Sequence, residues 1–280
     1  MKRRVELHGH RGARGLWPEN TLAGFSNAID MEKLEKDFAA FARERAEKLA
    51  PGLDFEKPKP GADAKDADAQ PAVSKNFYTL TREAKRLLRD KKWQEAKAPA
   101  EKLRRLYPGH TGADNACKLL AEAHRALGET NAERAVLARW AEGAADALDA
   151  YSRLMELHAA IADWPAVATN AERYLAVNPL VHAPYGFLAQ AGEALGRRDE
   201  AIRASRTLVR LDPPDPAGAQ LRLARLLHAA HDPGAKRHLL MALEEAPRFR
   251  EAQRLLLEMS AAAPTNNVMT NVPAPLPVTN

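Results

Sequence analysis

A chain of 280 residues with 45% hydrophobic residues can build one or two packed domains, and its single cysteine, Cys117, excludes an internal disulfide framework and a paired-cysteine zinc motif. The net charge of +5 is modest for this length and mostly local, so no nucleic-acid partner is expected. No stretch approaches a membrane span, and the basic opening MKRRVELHGHRG lacks the apolar core of a secretory signal. The expectation is a cytoplasmic protein with no membrane partner. Aromatic residues make up only 6% while alanine and leucine dominate, which favours close helix packing over sheet.

Residues 1–30 carry His10-Arg11-Gly12, then Pro18-Glu19-Asn20-Thr21, followed by Leu22 and Phe25. This stretch resembles the opening strand, loop and first helix of the glycerophosphodiester phosphodiesterase family. The resemblance implies a (β/α)8 barrel, a divalent metal held by carboxylates, His10 and Arg11 facing the phosphate, and Glu19 helping to shape the metal site. That chemistry needs a metal to stabilise charge on phosphoryl oxygens and a second proton-transfer group for the leaving alkoxide. The Glu-x-Asp strand end and later His-Asp that supply them in the family do not follow here; MEKLEKDFAAFARERAEKL follows instead, with helical period. A barrel of this kind takes roughly 250 residues, and the pattern covers only the first 30. The segment is read as a phosphodiesterase-like fragment without catalysis, with no metal and no cofactor expected.

Residues 31–56 place Leu34, Phe38, Phe41, Ala42 and Leu49 at helical spacing, with Lys and Glu on the other face and Pro51-Gly52 as the stop. The Phe-rich face is expected to pack on a neighbour. Residues 57–76, rich in alanine, aspartate, lysine and proline, read as a flexible linker.

From Phe77 the chain becomes periodic. Pro179, Pro213 and Pro247 stand 34 residues apart, each closing an apolar helical run, and Pro108 closes a similar run 71 residues before Pro179. A 34-residue period with a helix-ending proline is similar to that of the tetratricopeptide repeat (TPR) family. Five hairpins are predicted: Phe77 to His110, Asp114 to Ala147, Leu148 to Val181, His182 to Asp215, and Pro216 to about Phe249, the last with a turn one residue short. In the second, Ala145 replaces the closing proline. Ala121, Ala189 and Ala224 are expected at close helix contacts, glycine or aspartate at the reversals, and Trp93, Trp140 and Trp164 in the core. Arg250 to Ala263 reads as a capping helix and residues 264–280 as a disordered tail. The fold class expected is all-α, an α-solenoid over 77–263.

The TPR resemblance implies that the first helix of each hairpin lines a concave groove, with contacts from its second, fifth, ninth and twelfth positions. These are Tyr78, Thr81, Lys85 and Leu88 in the first repeat, and Asn115, Lys118, Glu122 and Arg125 in the second. The third and fourth offer Asp149, Ser152, Glu156 and Ala159, then Ala183, Gly186, Gln190 and Glu193. Thr81 and Lys85 do not match the lysine and asparagine clamp that the chaperone-tail binders of the family use, so that ligand is not expected. Between Arg82 and Arg105 there are ten Lys or Arg residues against four acids, a bias that includes Arg89 and suits an acidic peptide or, more simply, a solvated face. Cys117 reads as a small buried hydrophobe. His124, His158, His228, His231 and His238 read as satisfied or exposed histidines rather than metal ligands.

Together these features describe a non-catalytic protein-interaction scaffold that binds a partner peptide or helix in the TPR groove. One alternative is a metal-dependent glycerophosphodiester phosphodiesterase or an inactive fragment of one. Another is the interaction arm of a peptidase-like TPR protein, because the helix at 31–56 and the LDFEKP after it resemble a segment that follows such a domain. The His-Glu-x-x-His zinc motif of a peptidase appears nowhere in the chain.

Overall fold

The computed structural model describes residues 31–57 and 75–261. Those residues form twelve helices and no strand, and the chain divides into two compact units, one ending at Gly143 and the other beginning at Ala144. The predictions made for residues 1–30, for most of the linker and for the tail from 264 lie outside the described residues.

The first unit opens with α1 (Met31–Leu49). Its apolar stripe does not pack among the described residues: Phe38 is 67% and Phe41 60% exposed. What packs is the segment after it. The chain turns at Pro51-Gly52, where Gly52 adopts φ 81°, and this redirects Ala50 and Leu53 into a core with Leu80, Leu103 and Ala116. Phe55 adds a stacked contact with Phe77 at 5.7 Å between centroids and an edge contact with Tyr107 at 5.8 Å. The Asp54 amide donates to Lys75 O (2.8 Å) and the Phe77 amide to Asp54 O (2.7 Å), a single parallel bridge. The Asn76 side-chain amide donates to Asp54 Oδ2 and Glu56 O, both at 2.8 Å, while its Oδ1 accepts from the Thr79 amide and caps the next helix. The last two residues assigned to the linker, Lys75 and Asn76, are therefore built into the fold.

Two hairpins complete this unit: α2 (Phe77–Arg89) with α3 (Trp93–Leu106), then α4 (Ala116–Ala126) with α5 (Thr130–Gly143). The second unit holds α6 (Leu148–Ala159) with α7 (Trp164–Val177), α8 (His182–Ala194) with α9 (Arg198–Arg210), α10 (Pro216–Ala229) with α11 (Ala235–Glu245), and the cap α12 (Arg250–Ala261). Leu221, Ala224, Leu239, Ala242, Ala252 and Leu255 form the core beneath that cap.

Every hairpin reverses through one left-handed residue: Lys91, Gly128, Ala162, Gly196 and His231, with φ from 55° to 72°. In each, the next amide donates to the carbonyl five residues back, as in Asp163 to His158 (2.9 Å) and Arg197 to Gly192 (2.8 Å), which is the Schellman pattern. Glycine was expected at these reversals and occupies two of the five. The expected aspartates flank them: Asp90 precedes Lys91, and Asp163 follows Ala162 and accepts from the Ala166 amide as an N-cap. The irregular fifth hairpin has a first helix of 14 residues and a second of only 11, because Pro233 and Gly234 are interposed after His231.

Ala121, Ala189 and Ala224 are all buried, and α8 and α9 also meet closely at a glycine: a Cβ on Gly192 would stand 2.9 Å from the Ala201 backbone nitrogen. Of the three tryptophans among the described residues, Trp140 is buried, while Trp93 and Trp164 open their helices and are half-buried, Trp164 packing against Val167, Ala168 and Ala191. In the second unit, loops between hairpins are tied by a donor six residues on: Tyr185 to Pro179 O (3.2 Å) and Gln253 to Pro247 O (2.9 Å). Tyr151, fully buried, likewise donates to Ala144 O and Ala145 O, securing the loop that lacks its proline.

Candidate partner-binding faces

In the first unit α2 and α4 pack side by side, as successive first helices do when hairpins stack. On α2, Tyr78, Lys85 and Arg89 are exposed, with Lys85 in an ion pair with Asp114. On α4, Lys118, Glu122 and Arg125 are exposed at helical spacing, and the Lys118 ammonium stands 5.8 Å from the centre of the Trp140 ring. Two of the candidates are used internally. Thr81 is buried, its hydroxyl without a hydrogen-bond partner, because it follows Leu80 into the core. Asn115 is fully buried, and its side chain accepts from the Lys118 amide (2.8 Å) and donates to Gly112 O (2.8 Å), capping α4.

A residue that sequence reading passed over holds Arg125 in place. Glu133 is 1% exposed and its Oε1 accepts from Arg125 Nε at 2.7 Å, a charge-assisted bond from a buried carboxylate to an exposed guanidinium. The other hairpins carry Ala96, Val167, Ala201 and Ala235 at this register, all buried. A glutamate in a column of small apolar residues was the available signal. Beside it, Glu129 accepts from Lys97 Nζ (2.9 Å) and meets His124 Nδ1 (2.5 Å). The Lys97 hydrogen bond, seconded by His124, holds the Glu129 carboxyl below the usual range.

In the second unit α6 and α8 also pack side by side. Glu156 is exposed and paired with Arg153 (2.7 Å), Ser152 and Gln190 are half-exposed, and Glu193 lies 3.8 Å from Arg222. His158 Nδ1 meets Asp163 Oδ2 at 2.9 Å across the turn, repeating the His124 and Glu129 arrangement. Cys117 is buried and burial pushes its thiol pKa up, the state of an inert packing residue. Among the described residues no group of three His, Cys, Asp or Glu side chains is placed to hold a metal, and no helix is long and apolar enough to cross a membrane. His10, Arg11 and Glu19 lie outside the described residues.

Among solved structures, YrrB, described as a TPR protein with an unusual peptide-binding site, is 13% identical and superposes with a TM-score of 0.54 over 70% of this chain and 97% of its own. The fold is of the TPR type. A structure of MamA, 16% identical, matches this TPR fold with a TM-score of 0.50 over 61% of this chain and 92% of its own. No family model and no curated protein matches the sequence. At these identities the likeness speaks for a TPR fold and for nothing finer.

Proposed function

We propose that the chain is a non-catalytic protein-interaction scaffold and that α2 and α4 together bind an acidic peptide or helix of a partner protein. The observation that carries this reading is the cationic face of two adjacent first helices, where Lys85, Arg89, Lys118 and Arg125 have exposed side chains. Tyr78 at the edge supplies an aromatic contact, and Glu122 discriminates against an anion placed over the middle of α4. The α6 and α8 face, with Ser152, Glu156 and Gln190, is mixed in charge and suits a polar continuation of the partner. The peptide-binding site ascribed to YrrB adds support by analogy of fold. Fluorescence anisotropy of a labelled glutamate-rich peptide against the full chain tests the reading. Lys85→Glu combined with Lys118→Glu is expected to weaken binding about tenfold or more through lost attraction and added repulsion. Undiminished binding by that variant would remove α2 and α4 as the binding face.

A further inference from the structure

A separate hollow of about 980 Å³ lies in the first unit along α3, the second helix of its hairpin. Its walls run from Lys92 and Glu95 to Arg105 and Pro108, with Leu87 from α2 on one side and Arg139 reaching in from α5. None of the residues Tyr78, Lys85, Lys118 or Arg125 lines it.

The charge pattern inside it is not balanced. The three lining acids are each paired with a lining cation: Glu83 with Arg86 (3.3 Å), Glu95 with Lys92 (3.8 Å) and Glu101 with Arg104 (2.6 Å). Arg105 and Arg139 are exposed and have no carboxylate partner among the described residues. The wall also includes Leu87, Ala98 and Pro99, so apolar surface accompanies the two unpaired guanidinium groups. A cleft with an excess of one charge concentrates the opposite one, and a guanidinium offers a planar pair of donors to a carboxylate. Helix α3 has 14 residues, about 21 Å at the α-helical rise, and an extended peptide of about six residues covers that length. No aromatic ring lines the hollow, which removes the stacking platform that single-stranded nucleic acid uses. The exposed stripe of α1 does not complement it either, since that helix carries five acids and five bases.

We propose that this hollow is a second docking site, for an extended acidic peptide segment of a partner protein whose carboxylates pair with Arg105 and Arg139 and whose aliphatic side chains lie on Leu87, Ala98 and Pro99. The site does not depend on the α2 and α4 face. The test is a titration of a labelled hexapeptide of alternating glutamate and leucine against the full chain, with thermal melts confirming that each variant is folded. Arg105→Ser and Arg139→Ser are each expected to weaken binding about fivefold and together about twentyfold. Lys85→Glu with Lys118→Glu should remove only binding at the α2 and α4 face and leave the arginine-dependent component unchanged. Loss only in the Lys85 and Lys118 variant would overturn the second site and leave the α2 and α4 face standing; loss only in the arginine variants would establish the hollow whatever becomes of that face. The assignment is also overturned if the peptide does not bind, if a lysine and leucine peptide binds equally, or if a thymidine oligonucleotide binds more tightly. A concentration-dependent dimer abolished by Phe38→Ser and Phe41→Ser, with peptide binding unaffected by either arginine, would make a second copy the occupant and overturn it too.

Discussion

Arg125 and Glu133 form a pair whose two halves are not equivalent. The arginine is about half exposed and keeps its hydration when alone, whereas the glutamate is sealed in the core and loses part of its solvation compensation. Arg125→Ala is therefore expected to lower unfolding free energy by about 2 kcal/mol. Adding Glu133→Ala, which copies the residue in three of the other hairpins, should recover at least half of that loss. A urea-unfolding double-mutant cycle measures both numbers; equal costs for the two single variants would contradict the asymmetry. The three cations of the candidate face are held in three different ways. Arg125 is tethered from below, while Lys118 reaches across a ring and Lys85 leans on a surface acid.

At the scale of the element, five reversals of one geometry are made from glycine at two positions and from lysine, alanine and histidine at the other three. A left-handed conformation costs an L-residue roughly 1–2 kcal/mol, and glycine avoids that cost at a smaller entropic one. Ala162→Gly is expected to raise stability by about 0.5–1 kcal/mol and Gly196→Ala to lower it by about the same or more. No atom lies within 4 Å of a Cβ placed at Gly196 or Gly128, so that loss would report backbone conformation alone, free of any clash. Denaturant midpoints for the two variants provide the check, and a stabilising Gly196→Ala would refute the account. Why Lys91 and His231 are retained at such positions has no explanation in the contacts of the described residues.

The hairpins themselves were legible because hydrophobic period, closing prolines and turn residues agree over five copies, and the helices begin within two residues of the expected starts. The packing of Ala50, Leu53 and Phe55 was not. An amphipathic pattern shows that a face is apolar, not what covers it, and Phe38 and Phe41 are a larger apolar signal than Ala50, Leu53 and Phe55 around the helix stop. For the candidate binding faces, position in the repeat identified exposed side chains such as Lys85 and Lys118. It could not separate them from Asn115, whose type and position suit a groove contact equally well and whose use as a helix cap depends on the local backbone.

Across the whole molecule, acid sensitivity should come in two stages. Burial lowers the pKa of His110 in the first unit, against a weaker opposing effect of Asp114, and of His238 in the second, with Arg237 and Arg206 acting in the same direction. A depressed histidine is neutral in the folded chain while the unfolded chain takes up its proton near 6.5, so the associated stability is complete above that value and declines as pH falls below it. Asp54, lowered first by its Asn76 hydrogen bond, and Glu129, lowered first by Lys97, also contribute above their unfolded values and lose that contribution as pH falls through the carboxylate range. Urea midpoints should therefore drop between pH 7.5 and pH 5.5 and drop again below pH 4. His110→Phe, which keeps an aromatic ring beside Phe77 and Tyr107, should flatten the upper stage. A wild-type midpoint constant from pH 7.5 to pH 5.5 would contradict it.

The bridge between Asp54 and Asn76 decides where this molecule can be cut. The sequence repeat begins at Phe77, but the packed core of the first hairpin takes in Ala50, Leu53 and Phe55, which close its open side. A fragment starting at the repeat would retain every hairpin and still expose Leu80 and Leu103. Asp54 and Glu56 are hydrogen-bonded to Lys75 and Asn76, so a flexible insertion between Lys57 and Lys75 would lengthen a connection whose flanks the fold already holds together, at about 0.6 kcal/mol for each doubling of its length.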